Sequence, residues 1–281
     1  MKSIAAFVTV ALTVASSALA APTSLKRGGP GKRGLCWPFY NGPLDPAKLN
    51  DGSGSVNLIY DYETFLPPST NGNGGLNFIG MQRCLDCDSS PIAELANRQK
   101  QNGFSTLFTL NEPDINGITP QQAADWYKQN INPMAIKKAL PAVTASQNPG
   151  QGLDWLQQML DACAGQCFFD YINLHHYGAT FDQFKAHVED ANTRFPGKQI
   201  VVTEFALQNP AGGQADQVAY YKQAFAFLDA APFVEMYFPF VATTPSLFAA
   251  NDAAGVSFVG TGSTLYNDDK SISAVGQLML Q

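Results

Sequence analysis

Two glutamates each follow a stretch with the character of a β-strand. Glu112 comes after the β-prone run 105–110 and is followed by Pro113, which would end a strand there. Glu204 closes the apolar, β-branched run 201–203. Since ligands bind at the carboxyl ends of parallel strands in α/β folds, both carboxylates are predicted to face one site. Such a pair can break a glycosidic bond: one group donates a proton to the leaving oxygen, and the other attacks the anomeric carbon or activates water.

The rest of the chain alternates short β-prone runs with helical patterns, and this alternation has to position the glutamates. The predicted strands are 35–37, 57–60, 77–81, 105–110, 140–143, 171–175, 200–204 and 234–240, and the predicted helices are 92–102, 120–130, 153–162, 181–195, 216–228 and 272–280. At this length, eight strands separated by helices predict a single (β/α)8 TIM barrel. Its first two units are expected to be irregular, because their crossovers look short or non-helical. An open doubly wound sheet is the alternative.

Counting the strands in this way places Glu112 after strand four and Glu204 at the end of strand seven. Strand six runs into His175 and Tyr177, and the two-residue period of a strand puts these side chains on one face and His176 on the other. A histidine satisfied within the barrel core is the alternative interpretation of His175.

Aromatic residues at strand ends are candidate sugar-binding residues, because the C–H faces of a pyranose pack against rings. Trp37 is predicted to end strand one, and Tyr237 lies late in the chain within strand eight. Tyr40, Tyr60 and Tyr62 also lie at or just beyond strand ends. Each of these rings could instead belong to the core, and Trp37 is the preferred substrate-binding candidate among them.

The first 33 residues have the pattern of a targeting segment. Lys2, the apolar run 4–14 and the small-residue end at Ala20 predict a secretory signal peptide over residues 1–20. Two dibasic pairs, Lys26–Arg27 and Lys32–Arg33, predict a processed propeptide over residues 21–33, with an uncut arm as the alternative. The catalytic domain is then 34–281, and the expected location is extracellular or the cell wall.

Charge and composition limit the partners. The chain carries 17 basic and 23 acidic residues, a net charge of −6, and five of the basic residues lie within the first 33 positions. An acidic secreted domain argues against nucleic acid and anionic membranes as partners, whereas a neutral polymer remains compatible. A monomer is expected. Three histidines without metal-ligand spacing give no reason to expect a metal, and no cofactor is predicted.

Five cysteines in an oxidising compartment predict up to two disulfides and one remaining thiol. Cys163 and Cys167 can close locally, and Cys84 and Cys87 can pair although their loop is tight. Cys36 would then be a buried thiol. Cross-pairings such as Cys36 with Cys84 remain open.

Four stretches taken together resemble fungal members of glycoside hydrolase family 128, the β-1,3-glucanases of a barrel clan whose catalytic glutamates lie on strands four and seven. They are Gly34–Asn41, Leu110–Asp114, Asn173–Gly178 and Val202–Phe205. The resemblance implies that Glu112 is the general acid/base and Glu204 the nucleophile of a retaining double displacement. It implies that Asn111 hydrogen-bonds the sugar 2-hydroxyl, that His175 and Tyr177 support the nucleophile, and that Trp37 matches the family's strand-one tryptophan.

One departure from the family pattern concerns the run Tyr237–Phe240, in which Pro239 stands where the family tends to have tryptophan. Stacking at one sugar subsite, and with it the linkage preference, is therefore open. The leading hypothesis is an endo-acting β-1,3-glucanase of fungal-type cell walls. The alternatives are a hydrolase of another β-linked glucan or mannan and a non-catalytic glucan-binding wall protein. The assigned roles predict a higher pKa at Glu112 than at Glu204, and retention predicts carboxyl groups about 5–5.5 Å apart.

Overall fold

The computed structural model of the protein describes residues 31–281. The predicted signal peptide and most of the predicted propeptide lie outside these residues. Nine strands form one parallel sheet within the described part of the chain. They are β1 (Arg33–Cys36), β2 (Val56–Tyr60), β3 (Asn77–Phe78), β4 (Gly80–Gln82), β5 (Thr106–Asn111), β6 (Lys137–Val143), β7 (Tyr171–Gly178), β8 (Gln199–Leu207) and β9 (Val234–Tyr237).

The sheet closes on itself through its third unit. The strand order is β3-β2-β1-β9-β8-β7-β6-β5-β4, so β3 and β4 stand at the two ends of the order. Only Ile79 separates them in sequence, and β3 pairs with β2 while β4 pairs with β5. The predicted strand 77–81 is therefore one barrel position that changes hydrogen-bonding partner midway. The (β/α)8 TIM barrel prediction is confirmed.

Eight α-helices surround the barrel in the described residues. They are α1 (Leu95–Asn102), α2 (Pro120–Trp126), α3 (Gly152–Cys163), α4 (Phe181–Arg194), α5 (Gln214–Ala230), α6 (Pro245–Asn251), α7 (Ala253–Val259) and α8 (Ala274–Met279). The crossover from β1 to β2 holds only a short 3-10 turn, and the crossover from β2 to β3 holds no helix. The expected irregularity of the first two units is confirmed. Helices α6 and α7 follow β9 and were not predicted.

The floor of the barrel below the glutamates is a layer of interlocking rings. Tyr60, Phe108 and Phe238 meet edge to face, with ring centres 5.1–5.6 Å apart. Gly34 makes room for this layer, because a Cβ at that position would lie 2.0 Å from the ring of Phe238. Close packing of this kind fixes the strands that carry the site above it.

The cysteines pair locally, as the sequence allowed. Cys84 bonds to Cys87, Cys163 bonds to Cys167, and Cys36 is a buried free thiol. None of the helices within residues 31–281 combines the length and the apolarity needed to cross a bilayer.

The second dibasic pair is part of the barrel rather than of an arm preceding it. Lys32 is buried, and Arg33 is the first residue of β1. The side chain of Lys32 donates to a carbonyl oxygen near the C-terminal end of α5, and the side chain of Arg33 donates to one near the C-terminal end of α8. The pair that the sequence predicts as a processing site is therefore held within the folded domain.

Candidate active site

The backbone at Glu112 is unusual for a glutamate. Glu112 directly follows β5 and has a φ of 47°, in the left-handed region that non-glycine residues rarely adopt. Its N–H donates to the carbonyl oxygen of Ala142 at 2.8 Å, which holds this conformation against β6. Such a conformation costs about 1–3 kcal/mol and persists where the surroundings enforce it, often at functional sites. It turns the chain out of β5 while the carboxylate stays at the barrel mouth.

The carboxylate of Glu204 lies within β8 and is almost fully buried. The hydroxyl of Tyr62 donates to Oε1 at 2.7 Å, and the hydroxyl of Tyr177 donates to Oε2 at 2.5 Å. Both oxygens therefore accept a hydrogen bond from a neutral donor. This arrangement favours the ionised form of Glu204.

His175 stands between the two glutamates. Its Nδ1 lies 2.9 Å from Oε1 of Glu112 and 3.5 Å from Oε2 of Glu204. Its Nε2 lies 3.0 Å from the hydroxyl of Thr203, which itself donates to Oδ1 of Asn173. Because the Thr203 proton is used in that way, Nε2 must carry the proton that it donates to Thr203. Nδ1 is left to exchange a proton with Glu112.

The pKa values of these three groups depend on one another. Burial raises the pKa of Glu204, although the charge of His175 and the two tyrosine hydroxyls oppose the rise. Burial would also raise the pKa of Glu112, but the hydrogen bond and charge of His175 outweigh it, so that this pKa is lowered. Burial would lower the pKa of His175, but Glu204 and Glu112 together raise it. The predicted order of the two glutamate pKa values is therefore wrong for this arrangement, because Glu112 is hydrogen-bonded to His175 while burial dominates at Glu204.

Glu112, His175 and Glu204 also form the one group among the described residues that could hold a cation. Each offers one ligand atom, and the three atoms lie within 4.8 Å of one another. Both oxygens of Glu204 already accept hydrogen bonds, and Nδ1 of His175 already faces Glu112. The sequence-based expectation of no metal stays a prediction.

The structure brings His175 and Tyr177 to the glutamates and sends His176 to the opposite side of β7. Asn111 ends β5, directly before Glu112. Its amide oxygen is buried and has no hydrogen-bonding partner among residues 31–281. A buried polar atom without a partner in a folded protein calls for an explanation, and this one lies directly before Glu112.

The sugar-stacking roles predicted for Trp37 and Tyr237 are wrong. Trp37 is fully buried, and its indole N–H donates to the carbonyl oxygen of Pro68 at 2.9 Å. Tyr237 is fully buried as well, and its hydroxyl donates to Asp229 at 2.7 Å, on the α5 side of the sheet. The period of two explains both errors. Cys36 and Phe238 contact the barrel interior, so the neighbouring Trp37 and Tyr237 have to face away from it.

Other rings form the walls of the cavity, which has a volume of about 460 Å³ and lies in front of the glutamates. Phe258 lines it, is 43% exposed, and packs edge to face on Tyr177 at 5.2 Å. Phe240 lines it too, next to the position where tryptophan was expected. Sequence reasoning missed Phe258 because α7 was not predicted. Asp252, which caps α7 by accepting from the N–H of Gly255, was the available signal.

Two further cavities adjoin the first. One of about 390 Å³ shares Phe240 with it and is lined by Tyr62. Another of about 610 Å³ shares Ala145 and Tyr177 with it. The depression in front of the glutamates therefore continues on the side of Tyr62. The cavity of about 610 Å³ extends instead to the outer side of β7, where His176 and His187 line it.

Comparison with known proteins agrees with this geometry. A family model described as the glycosyl hydrolase catalytic core matches residues 34–278. An endo-β-1,3-glucanase of GH128 subgroup IV from Lentinula edodes is 59% identical with a TM-score of 0.86, and the match covers 89% of this chain and 99% of that one. A curdlan-specific exo-β-1,3-glucanase of subgroup III from Blastomyces gilchristii, in complex with glucose, is 25% identical with a TM-score of 0.69, covering 90% and 99%.

A curated relative is the alkali-sensitive linkage protein 1 of Schizosaccharomyces pombe, which is 28% identical over 260 residues. The match covers 89% of this chain but 44% of that protein, so the chain spans less than half of the relative's length.

Proposed function

Since the chain belongs to glycoside hydrolase family 128, we propose that it is a retaining β-1,3-glucanase that cleaves within glucan chains, with Glu112 as acid/base and Glu204 as nucleophile. One observation carries the proposal: two carboxylates lie on either side of His175 at the mouth of the barrel, 2.9 and 3.5 Å from the same nitrogen. The 59% identity to an endo-β-1,3-glucanase supports the reaction and the linkage.

The first step needs a proton on Glu112, and His175 is positioned to supply it. When a sugar displaces water from this carboxylate, the loss of solvation favours its neutral form. The proton on Nδ1 of His175 then moves to Glu112 along the 2.9 Å hydrogen bond. Glu112 passes a proton to the glycosidic oxygen as the bond breaks. His175 acts through Glu112 and is a positioning residue.

Glu204 attacks the anomeric carbon in the same step. Tyr62 and Tyr177 hold its two oxygens and keep the carboxylate ionised and oriented. Oxygens of Glu112 and Glu204 lie within 4.8 Å of each other, which supports retention, because inverting enzymes separate their carboxyl groups by about 6.5–9.5 Å to admit a water. Glu112 then deprotonates the water that releases the glycosyl-enzyme ester.

Asn111 is proposed to bind the 2-hydroxyl of the sugar at the cleavage point. Its unpartnered amide oxygen next to Glu112 supports this role. Hydrogen bonds to that hydroxyl strengthen in the transition state and supply several kcal/mol in enzymes of this kind.

The identity of 59% to an endo-β-1,3-glucanase supports endo action, and the cavity beside Tyr62 gives room for further sugar units next to the glutamates. We propose a β-glucan polysaccharide of the cell wall as the substrate, with secretion as the signal-like N-terminus predicts. The relative named for an alkali-sensitive linkage fits a wall location. A monomer that binds neither nucleic acid nor membranes, and that needs no cofactor, remains the expectation.

The test compares Glu204→Gln with wild type and with Glu94→Gln, a control at an exposed site beside α1. We expect Glu204→Gln to lower kcat on laminarin by at least roughly 10⁴-fold while glucan binding is retained. NMR of the first product should show the β-anomer. An α-anomer would contradict retention, and a wild type that binds glucan without releasing reducing sugar from any β-glucan would leave only the binding-protein alternative.

A further inference from the structure

Three strongly exposed apolar side chains line the cavities at the mouth of the barrel. Among residues 31–281 the strongly exposed large hydrophobic residues are Phe39, Leu66, Ile115, Phe168 and Phe258. Ile115 and Phe258 line the cavity of the glutamates, and Phe39 lines the adjoining cavity of about 390 Å³. Phe39 is the most exposed of the five, at 69%. Apolar groups that stay exposed next to a functional cavity mark a binding surface.

The adjoining cavity combines ring faces with polar groups. Phe39 and Tyr40 meet edge to face with ring centres 5.2 Å apart, and Phe240 forms the wall shared with the catalytic cavity. Arg83 and Asp252 line the same cavity. A pyranose presents C–H faces and hydroxyl edges, and an apolar site with a few polar groups matches this chemistry.

The position of this cavity relative to the glutamates fixes which part of a glucan it would receive. The leaving group has to lie beside the proton donor, and Glu112 lines the central cavity together with Ile115 and Thr144. None of these three residues lines the adjoining cavity, which meets the site through Phe240 and through Tyr62, whose hydroxyl reaches Glu204. The sugar units that stay attached to the attacked carbon therefore extend toward Phe39.

We propose that Phe39 and Tyr40 form a platform for the glucose units on the non-reducing side of the cleaved bond, and that this platform determines how long a chain the enzyme needs. The inference rests on the proposed function. Aromatic contacts of this size contribute about 0.5–1.5 kcal/mol, which corresponds to a loss of roughly threefold to tenfold when a ring is removed.

The test measures kcat/KM on β-1,3-gluco-oligosaccharides from the disaccharide to the hexasaccharide. Phe39→Ala is compared with Phe168→Ala, since Phe168 is 62% exposed but lies just before β7, at the opposite end of the barrel. We expect Phe39→Ala to lower kcat/KM by roughly threefold to tenfold on the longest substrates, through KM, and to leave the shortest active substrate unchanged. Phe168→Ala should match wild type, and Phe39→Tyr should restore the loss.

Equal losses at every length, or no loss on the longest substrate, would overturn the platform while leaving the glucanase proposal standing. If the wild type is inactive on all β-1,3-gluco-oligosaccharides, the proposed function itself fails and the two failures are distinguished.

The contacts of Lys32 and Arg33 carry a second, independent inference. Nζ of Lys32 donates to the carbonyl oxygens of Leu228, Asp229 and Ala231 at 2.8–3.1 Å, around the C-terminal end of α5. A helix end leaves such carbonyls without partners, and a buried lysine satisfies three of them here.

Arg33 does the same for the last helix. Its Nη1 donates to the carbonyl oxygens of Leu278, Met279 and Gln281 at 2.6–3.0 Å. Its Nη2 forms an ion pair with Asp229 at 2.7 Å. The pair thus ties β1 to the ends of α5 and α8.

We infer that Lys32–Arg33 is a structural clamp retained in the mature protein, and that it is not cut by a dibasic-specific protease once the barrel has folded. The test is the N-terminal sequence of the secreted protein, which should begin upstream of Lys32. A mature chain that begins at Gly34 would overturn the inference.

Stability gives a second measurement. Arg33→Gln should lower Tm by roughly 10 °C, because it removes the positive charge that pairs with Asp229 in a partly buried site. Arg27→Gln, at the other dibasic pair, should leave Tm unchanged. An Arg33→Gln protein that melts within about 2 °C of wild type would contradict the clamp.

Discussion

Two neighbouring histidines on β7 show how one strand separates chemistry from packing. His175 faces the barrel interior, where Glu112 and Thr203 occupy its two nitrogens, and the nearby carboxylates raise its pKa despite burial. His176 faces α4, where it meets His187 with ring centres 5.6 Å apart. Burial lowers the pKa of His176 to about 3 and that of His187 to about 4.

The difference between the two faces lies in their partners, since both sides are buried. Nδ1 of His176 and both ring nitrogens of His187 have no hydrogen-bonding partner within residues 31–281. Neither ring is hydrogen-bonded to a carboxylate, and Arg194 opposes the charge of Asp190 near His187, so burial dominates and lowers both pKa values. On the inner face two carboxylates raise the pKa of His175 in spite of its burial. Burial alone therefore lowers the pKa of a histidine, whereas burial beside carboxylates can raise it.

Replacing the inner histidine should have the largest effect. We expect His175→Ala to lower kcat on β-1,3-glucan by roughly 10²–10⁴-fold, because Glu112 loses the group that returns its proton. It should also shift the alkaline limb of the pH–rate profile, since the raised pKa of His175 no longer contributes to it. His176→Asn is the matched control and should keep kcat within about twofold. Equal losses in the two variants would break the comparison.

The residues on the inner face could be predicted from the sequence, because the patterns that place them are local. Strand ends and a period of two place Glu112, Glu204, His175 and Tyr177 without knowledge of distant contacts. Tyr237 was assigned from its place near a strand end alone, without the period of two, and this gave it the wrong role.

Other features depend on contacts between strands and could not be predicted. The pKa order of the glutamates depends on their burial and on their distances from His175, which are set across β5, β7 and β8. Phe39 and Phe258 could not be recognised as wall residues until the loops and short helices that carry them were placed beside the glutamates.

The outer pair should produce a smaller effect, on stability instead of catalysis. The pKa values of His176 and His187 lie below the usual 6.5, so the unfolded chain binds protons first as the pH falls. The free energy of unfolding should then decrease below about pH 6.5, by up to about 1.4 kcal/mol per pH unit for each group, until the folded-state values are reached. Asp190 and Arg194 act on His187 with opposite signs.

The measurement is Tm between pH 7 and pH 4 for wild type and His187→Leu. The variant should lose less Tm over this range, because one of the two rings no longer has to accept a proton. His175 should act in the opposite direction: its raised pKa gives stability that is complete below pH 6.5 and is lost as the pH rises through its folded-state pKa. Identical pH dependence in wild type and His187→Leu would show that the outer pair does not titrate on unfolding.

The smallest effect is expected at Thr203, which is hydrogen-bonded to the inner histidine, His175. Thr203→Val keeps the shape but removes the oxygen that accepts from Nε2 of His175, so the ring loses its fixed tautomer. We expect kcat to fall roughly tenfold with little change in KM, the loss of about one hydrogen bond in the transition state. Thr193→Val removes a hydroxyl that donates to Glu189 on the exposed side of α4 and is the matched control. If both variants keep full kcat, proton exchange between His175 and Glu112 does not require a tautomer fixed by Thr203.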